Sequence, residues 1–400
     1  MNNSKYIVMK TLSFSVFALG VMLLNSCVPK EKGTTITVKN ELGFERTFET
    51  VVLSKSELNV EDLNVLGIKD KETGELQLTQ LVDNDGDGIM DDILFQPSIA
   101  GNSEKVYDIV SITEAEKPKA EELCYSRFVP ERTDDYTWEN NKVAFRMYGP
   151  RAQQMIEEDI PGGTLSSGVD AWLKKVEYPI INNWYKKEME NQGAYHLDSG
   201  EGLDNFHVGQ SRGVGGVAIK KGDSYYFSKN YTKWKTITTG PIRTSFYLEI
   251  GDWDVDGNPI KESKIISLDL GSNFSKFEVT ISGTDTLSAG LTLHEKDGVV
   301  NENNNDAWVS YWQPHADSEL ATAIVVPKTT FIGFENYDSE VADLSNAYAH
   351  MKVDNNKVVY YAGFTWKESG QFKSQAEWES YLGTFSEQIN TPLAVKVILK

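Results

Sequence analysis

The segment RTSFYLEI, residues 243–250, alternates polar and apolar side chains along its whole length. In an extended chain, alternate side chains point to opposite faces, so the segment predicts a strand with one buried face. The apolar face comprises Thr244, Phe246, Leu248 and Ile250, and the other face comprises Arg243, Ser245, Tyr247 and Glu249. The prediction is a strand that is dry on one side and rich in Arg and Tyr on the other.

The segment VAFRMY, residues 143–148, repeats this arrangement. Its two faces are Val143, Phe145 and Met147 against Ala144, Arg146 and Tyr148. Further short β-type runs, starting at residues 35–38, are separated by Gly, Asn and Asp, which is typical of a β-sandwich or barrel. We therefore predict an all-β fold with few short helices.

One helix is predicted near the C-terminus. Ser374 and Glu377 have the spacing of a capping box, in which a serine side chain and a glutamate three residues later satisfy free backbone N–H groups. An apolar stripe with helical spacing follows, formed by Trp378, Tyr381, Leu382 and Phe385. The stripe predicts a helix that packs on the core.

Length and charge limit the function classes. The 400 residues correspond to one large or two ordinary domains, and 40 % of them are hydrophobic, as in a soluble globular protein. The net charge of −20 argues against nucleic acid as a partner, because phosphates require a basic surface. A local group of arginines can still bind an anionic substrate.

The first residues resemble a bacterial lipoprotein signal. Lys5 and Lys10 precede an apolar run from Leu12 to Leu24, and the sequence Leu-Asn-Ser-Cys ends at Cys27. We predict a signal peptide over residues 1–26 and lipidation of Cys27, followed by a tether over residues 27–34. The protein would then be anchored in the outer membrane, on the periplasmic side or at the cell surface; an ordinary secretory signal is the alternative.

A charged stretch, residues 114–122, is a candidate boundary between two regions of the chain. We predict an N-terminal β-unit over residues 35–115 and a larger β region over residues 116–400, and the two regions form either separate domains or one.

An acidic loop, DNDGDGIMDD, occupies residues 83–92. Its Asp83, Asp85, Asp87 and Asp91 have most of the spacing of a calcium-binding loop, but Leu94 replaces the usual last glutamate. A structural Ca²⁺ site is one interpretation. A tight turn is the other, because Asp and Gly favour turns without any metal.

A glycine-rich stretch, residues 195–216, contains the largest concentration of reactive side chains. Tyr195, His196, His207 and Arg212 lie in it, and loops on a rigid β scaffold commonly hold functional groups. We predict an acid–base site here. The alternatives are a metal site formed by His196, Asp198 and His207, or a surface loop with two ordinary histidines.

An aromatic group around Trp308 and Trp312 offers rings for stacking on a sugar, or for core packing.

Five motifs resemble a family of secreted Bacteroidota lipoproteins that accompany polysaccharide-degradation genes and were long known only as a domain of unknown function. They are RFVPER at 127–132, WEN at 138–140, AFRMYGP at 144–150, YHLDSGEGLD at 195–204 and GPIR at 240–243. The resemblance covers about residues 35–400 and is strongest to ulvan oligosaccharide dehydratases of marine flavobacteria. It implies a galactose-mutarotase-like supersandwich, and removal of water from the non-reducing-end uronic acid of ulvan oligosaccharides, with a 4,5-unsaturated uronyl end as product.

Such an elimination needs a base for the C5 proton, an acid for the 4-oxygen and donors that stabilise the enediolate, and it requires no organic cofactor. We assign His207 as the base and Tyr195 as the acid, with His196 as the alternative in either role. Arg212 and Arg146 would hold the carboxylate of an anionic, sulfated oligosaccharide.

Further substrate contacts are predicted for Tyr148, Arg243, Trp308 and Trp312. Two other function classes remain open: a glycoside hydrolase using Asp198, Glu201 or Asp204, and a non-catalytic sugar-binding lipoprotein.

The lipid anchor is testable in cells. Cys27→Ser removes the thiol that would carry the lipid, so we expect the protein to leave the membrane fraction and appear with soluble proteins. Immunoblotting of fractionated cells measures the change. Membrane association that survives Cys27→Ser would contradict lipidation at this residue.

Overall fold

A computed structural model describes residues 33–341 and 343–399 of the chain. The predicted signal peptide, Cys27 and most of the predicted tether lie outside these residues. No helix among the described residues is long and apolar enough to cross a membrane.

The described residues form mainly strands. The first half of the strands comprises β1 Thr35–Asn40, β2 Val51–Ser54, β3 Leu66–Asp70, β4 Gln80–Val82, β5 Asp92–Phe95, β6 Ser103–Ser111, β7 Tyr125–Val129, β8 Asp135–Glu139, β9 Ala144–Met147, β10 Asp170–Lys174, β11 Gly202–Leu203, β12 Val214–Lys221 and β13 Ser224–Phe227. The second half comprises β14 Tyr231–Thr238, β15 Arg243–Ile250, β16 Trp253–Val255, β17 Asn258–Asp269, β18 Phe274–Ser282, β19 Thr286–Thr292, β20 Val299–Asn303, β21 Trp308–His315, β22 Ser318–Val325, β23 Phe331–Tyr337, β24 Asn346–Lys352, β25 Lys357–Trp366 and β26 Ala394–Ile398.

Four α-helices and three short 3₁₀ helices connect these strands. The α-helices are α1 Lys55–Leu58, α2 Pro150–Glu157, α3 Ile181–Glu190 and α4 Gln375–Asn390, and the 3₁₀ helices are Glu114–Glu116, Ala194–His196 and Lys367–Ser369. The predicted all-β class, with few short helices and one C-terminal helix, is confirmed.

The strands pair antiparallel in five sheets. The largest has nine strands, β14-β15-β17-β18-β25-β22-β21-β20 with β16 paired to β17. Two five-stranded sheets have the orders β11-β10-β9-β8-β7 and β13-β12-β19-β24-β23. Smaller sheets have the orders β26-β1-β6-β3 and β2-β5-β4, so the last strand of the chain pairs with the first.

The main core lies where the inner faces of the nine-stranded and the two five-stranded sheets meet. Phe246, Leu248 and Ile250 of β15 are buried there, together with Phe145 and Met147 of β9, as their alternation predicts. The opposite face of the nine-stranded sheet is covered in part by α4. The sandwich arrangement follows from this packing, because each sheet buries the apolar face that its sequence pattern provides.

Helix α4 begins as predicted. The Ser374 hydroxyl accepts a hydrogen bond from the Glu377 N–H at 3.3 Å, while the Glu377 carboxylate accepts from the N–H of Lys373 at 2.7 Å. Trp378 and Leu382 are fully buried against the sheet, and Trp378 Nε1 donates to Ser310 Oγ at 3.0 Å. The predicted apolar stripe is therefore the packing face of this helix.

Candidate functional site

The loop that carries Tyr195, His196 and His207 is held in its middle and at its C-terminal end by close backbone contacts. Gly202, at φ +111°, lies so near β10 that a Cβ would come within 1.9 Å of Leu173 O. Gly213, at φ +55°, is equally close to Val169, where a Cβ would come within 2.1 Å of its carbonyl oxygen. Only glycine fits either position, and this explains Gly202 between the two histidines and Gly213 after Arg212.

A buried arginine–aspartate cluster, formed by Arg132, Asp135, Arg146, Asp170 and Asp204, lies under one end of this loop. Arg146 NH2 is 2.6 Å from Asp170 Oδ2 and 3.1 Å from Asp204 Oδ2, and its NH1 is 3.7 Å from Asp135 Oδ2. The cluster joins β8, β9 and β10 to the residue that follows β11. Arg146 therefore binds protein carboxylates in this structure.

Burial and like charges shift the pKa values in the cluster. Burial raises the pKa of Asp135 to about 6. Burial, followed by the neighbouring carboxylate of Asp204, raises the pKa of Asp170 well above its usual range. Burial alone would lower the pKa of Arg146, but the adjacent carboxylates outweigh it and raise that pKa. The guanidinium consequently stays charged. The raised pKa values mean that Asp135 and Asp170 hold a proton at a higher pH than they would in water.

Tyr195 joins this cluster through its hydroxyl oxygen. The oxygen accepts hydrogen bonds from Arg132 Nε at 3.2 Å and from Arg146 NH1 at 3.3 Å. The rings of Tyr195 and His196 are 4.5 Å apart and nearly perpendicular, and the His196 side chain is half exposed. The structure thus brings Tyr195, His196 and Arg146 together. Tyr148 is also present, with the Arg146 guanidinium 5.4 Å from the centre of its ring.

His207 lies elsewhere, in a histidine cluster that we define as His207, His294, His315 and Asp343. His207 Nε2 is 3.3 Å from the Asp343 carboxylate, and the rings of His207 and His294 are 5.2 Å apart. His315 Nε2 is 2.9 Å from Asn205 Oδ1. The segment 204–207 connects the two clusters, because Asp204 contacts Arg146 and the residues that follow it contact the histidines.

The histidine cluster provides neutral imidazoles. Burial lowers the pKa of His294 to about 4 and also lowers the pKa of His315. The His207 side chain, in contrast, is 67 % exposed. An exposed imidazole with a carboxylate beside it is suited to proton transfer, because the carboxylate orients the ring and stabilises its protonated form.

Arg212 does not take part in either cluster, which corrects its predicted catalytic role. It is only 2 % exposed, and its guanidinium donates to Ser167 Oγ at 2.7 Å and to two backbone oxygens. Its guanidinium carbon also lies 4.4 Å from the centre of the Phe227 ring. Burial lowers the pKa of Arg212 to about 10. The Arg212 side chain stabilises the end of the loop through these hydrogen bonds. It is too buried to contact a sugar.

Trp308 and Trp312 are also misassigned as sugar contacts. They are 6 % and 8 % exposed and pack with Trp378 and Leu382 between β21 and α4. Arg243 lies apart from both clusters, where its Nε and NH2 donate to the Asp269 carboxylate at 2.5 and 2.8 Å.

The acids proposed for hydrolysis are already paired. Asp198 binds Lys175 Nζ at 2.5 Å, and Glu201 binds Lys187 Nζ at 2.8 Å. Burial alone would raise the pKa of both carboxyls, but hydrogen bonds outweigh it and lower them. Neither residue is therefore suited to be the protonated acid that glycoside hydrolysis requires.

The acidic loop brings Asp83, Asp85 and Asp91 together, with one carboxylate oxygen of each within 4.8 Å of the others. Asp87 is not in this group, and its carboxylate accepts from the Ile89 N–H at 2.7 Å. The three carboxylates fit the oxygen ligands that Ca²⁺ prefers. Hydrogen bonds from loop N–H groups to Asp83 also fit the alternative of a metal-free turn.

Comparisons with known proteins agree with the predicted family. The model of a family described as a domain of unknown function, DUF4861, matches residues 38–395, and the chain belongs to this family. It is also 54 % identical over 394 residues to "Uncharacterized protein P7" of Formosa agariphila, covering 97 % of this chain and all of that protein.

Two solved structures from Enterococcus faecalis show a weak similarity. One is a protein in glycosyl hydrolase family 38, with 12 % identity and a TM-score of 0.47, and the other is an alpha-mannosidase, with 11 % identity and a TM-score of 0.45. Each match covers 92 % of this chain, and the chain spans about half the length of those proteins, 48 % and 46 %. At these scores the similarity carries no argument about function.

Removing the charge of Arg146 tests the buried cluster. Arg146→Met leaves three buried carboxylates without this guanidinium, so we expect a loss of about 3–5 kcal/mol in the free energy of unfolding at pH 7. The loss should shrink between pH 7 and pH 5. Without the guanidinium, the pKa values of the folded acids rise further than in the intact cluster, where that of Asp135 is already about 6, so the folded variant takes up protons before its unfolded chain does.

Urea unfolding at pH 7 and at pH 5 measures both effects. Arg127→Met is the matched control, because Arg127 pairs with the partly exposed Glu131 and should cost less than about 1 kcal/mol. Equal losses in the free energy of unfolding for the two variants would contradict a stabilising buried ion cluster at Arg146.

Calcium binding to the acidic loop has a thermal signature. We expect Ca²⁺ at about 100 times its Kd to add about 2.7 kcal/mol to the free energy of unfolding, and a chelator to remove it. Asp91→Asn should abolish the effect, whereas Asp87→Asn should preserve it, because Asp87 lies outside the converging group. Thermal unfolding with and without Ca²⁺ measures this effect. An unchanged midpoint temperature would contradict calcium binding and support the interpretation of the loop as a metal-free turn.

Proposed function

We propose that the protein is an oligosaccharide dehydratase that removes water from a non-reducing-end uronic acid of ulvan oligosaccharides. The observation that carries the proposal is the His207–Asp343 pair, an exposed imidazole within 3.3 Å of a carboxylate. It supplies the base that a proton-abstracting enzyme needs, and the family resemblance supplies the substrate class.

In the proposed reaction, His207 takes the C5 proton of the uronic acid, which the adjacent carboxylate group makes acidic. The C5–H electron pair becomes the C4=C5 double bond, and the 4-oxygen leaves as water after receiving a proton. Asp343 stabilises the imidazolium that forms on His207. No organic cofactor enters this balance.

The acid that protonates the 4-oxygen is His196 or Tyr195, at the other end of segment 195–207. His196 is favoured, because its side chain is half exposed whereas Tyr195 is only 3 % exposed. Both hydrogen bonds that Tyr195 receives come from guanidinium groups, so its own O–H meets no acceptor among the described residues. His196 is the more exposed of the two and contacts Asp204 through Nδ1. In this assignment, the buried arginine–aspartate cluster positions the acid and does not bind the substrate.

The other function classes have less support. A hydrolase lacks an accessible protonated acid among its candidates, because Asp198 and Glu201 are paired with lysines, and Asp204, whose pKa burial raises, is buried against Arg146. A lectin that relies on Trp308 and Trp312 is disfavoured, because both rings are buried. We further propose that Cys27 carries a lipid that holds the enzyme at the outer membrane.

The reaction can be followed directly by ultraviolet absorbance. Incubation with a saturated uronyl oligosaccharide should raise the absorbance of a conjugated enol acid without shortening the chain. His207→Gln should lower turnover by at least about 10²-fold, because it removes the base. Tyr195→Phe and His196→Gln identify the acid, since only the acid's removal should cause a comparable loss.

His350→Gln is the matched control, because His350 contacts Ser288 and Glu335 and belongs to neither cluster. Shorter sugars without absorbance would indicate a hydrolase. Near-normal turnover in both His207→Gln and His196→Gln would place the reaction elsewhere.

A further inference from the structure

A cavity of about 460 Å³ lies between the outer face of the nine-stranded sheet, helix α4 and the segment 45–52. Its floor is formed by β15, β17, β18 and β25, and α4 and the segment form two of its walls. It shares no lining residue with the arginine–aspartate cluster or the histidine cluster. Its volume lies in the range that small-molecule sites occupy.

The floor of the cavity offers both donors and acceptors. Arg243 and Asp269 form a two-point ion pair there, and each side chain remains about one-fifth exposed. Ser272 and Tyr361 line the same space, and the Ser272 hydroxyl donates to Phe274 O at 2.9 Å. Planar paired groups and hydroxyls of this kind fit a ligand that carries many hydroxyl groups, because such a ligand both donates and accepts hydrogen bonds.

Lys142 provides a cation without a carboxylate partner. No carboxylate lies within 4 Å of its Nζ among the described residues, although Glu45, Glu49 and Asp269 also line the cavity. Burial lowers the pKa of Lys142 and shows that its ammonium is partly desolvated. Lys276 also lines the cavity but is paired with Glu278 at 3.0 Å. Lys142 is therefore the unpaired cation among the described lining residues, and one such cation beside three acids favours a ligand with a single negative charge over a multiply charged phosphate.

Phe48 gives the cavity an apolar edge. Its side chain is 52 % exposed, and its ring lies against Gly271, where a Cβ would come within 2.5 Å of it at φ +80°. Phe385 of α4 also lines the cavity, and the buried Phe274 ring stacks beneath it at 4.6 Å between ring centres. An exposed ring next to a cavity is suited to contact the C–H face of a sugar.

We propose that this cavity is a second carbohydrate-binding site, which holds one acidic sugar unit with its carboxylate or sulfate at Lys142. The unit's hydroxyls contact the Arg243–Asp269 pair, and its apolar face contacts Phe48. The site binds without chemistry, because no lining residue belongs to the proposed acid–base pair. The choice of a uronic acid as probe rests on the proposed function, whereas the site itself rests on the cavity.

The test uses the full mature chain with His207→Gln, so that turnover does not consume the probe. The probe is a glucuronic acid–rhamnose disaccharide, and glucose–rhamnose is its neutral counterpart. Hydrogen–deuterium exchange should show protection of residues 45–52 on addition of the acidic probe. Lys142→Met should weaken calorimetric affinity for it by at least about tenfold, because a charge-assisted hydrogen bond is lost.

Lys357→Met is the matched control, because Lys357 is exposed and does not line the cavity. Phe48→Ala should weaken binding of both probes, and it should do so without unfolding because its ring is exposed. The site is overturned if the acidic probe does not protect residues 45–52 from exchange, or if Lys142→Met leaves that protection unchanged. Hydrogen–deuterium exchange and calorimetry do not depend on the ultraviolet absorbance of a product. A failure of the proposed dehydratase activity is therefore distinguished from a failure of this site.

Discussion

The ion pairs of Arg146 are the interaction on which the candidate site depends. Arg146 lies on β9. Its guanidinium contacts Asp135 on β8, Asp170 on β10 and Asp204 after β11. Two arginines face three carboxylates in this cluster, which leaves one excess negative charge in a buried environment. Burial is the largest cause of the raised pKa of Asp170, and the neighbouring carboxylate of Asp204 adds to it, so the arrangement favours a proton on one of these acids.

Because Asp204 is fixed in this way, the segment that follows it has a defined starting point. Asn205 and His207 then reach His294, which follows β19, His315 at the end of β21, and the carboxylate of Asp343. The cluster thus acts as a support for an exposed loop, and its own acids are too buried to meet a sugar. Catalytic groups on a rigid support lose little freedom when they bind, which is what proton transfer at a sugar carbon requires.

Much of the fold could be predicted because alternation along a strand reports burial directly. The faces of β9 and β15 and the packing stripe of α4 were predicted correctly for this reason. Trp308 and Trp312 were misassigned, although they are four residues apart on one face of a strand. The apolar stripe of α4 needed a complementary surface, and that requirement was the signal in the sequence for their burial.

The site was harder to predict because its partners are far apart in the chain. Tyr195, His196 and His207 were recognised from one loop, but Asp343 lies 136 residues beyond His207, and no local pattern links them. Asp135 and Asp170 sit in ordinary strands and become distinctive only around Arg146. Arg212 was assigned to substrate because of its loop, yet a guanidinium in a tight turn can equally satisfy backbone oxygens, as it does here.

Electrostatics also changes the account of how an anionic sugar would be recognised. The predicted removal of residues 1–26 would eliminate Lys5 and Lys10 and no acids, and would make the net charge of −20 more negative by two. Arg146 and Arg243 are neutralised by aspartates, and Arg212 is buried, so none of the three offers a free cation. The overall field therefore repels the proposed substrate at a distance, although salt limits this repulsion to about 8 Å at physiological ionic strength. Recognition must then come from short-range contacts, and a partly desolvated ammonium such as Lys142 is effective there because little water competes for its charge.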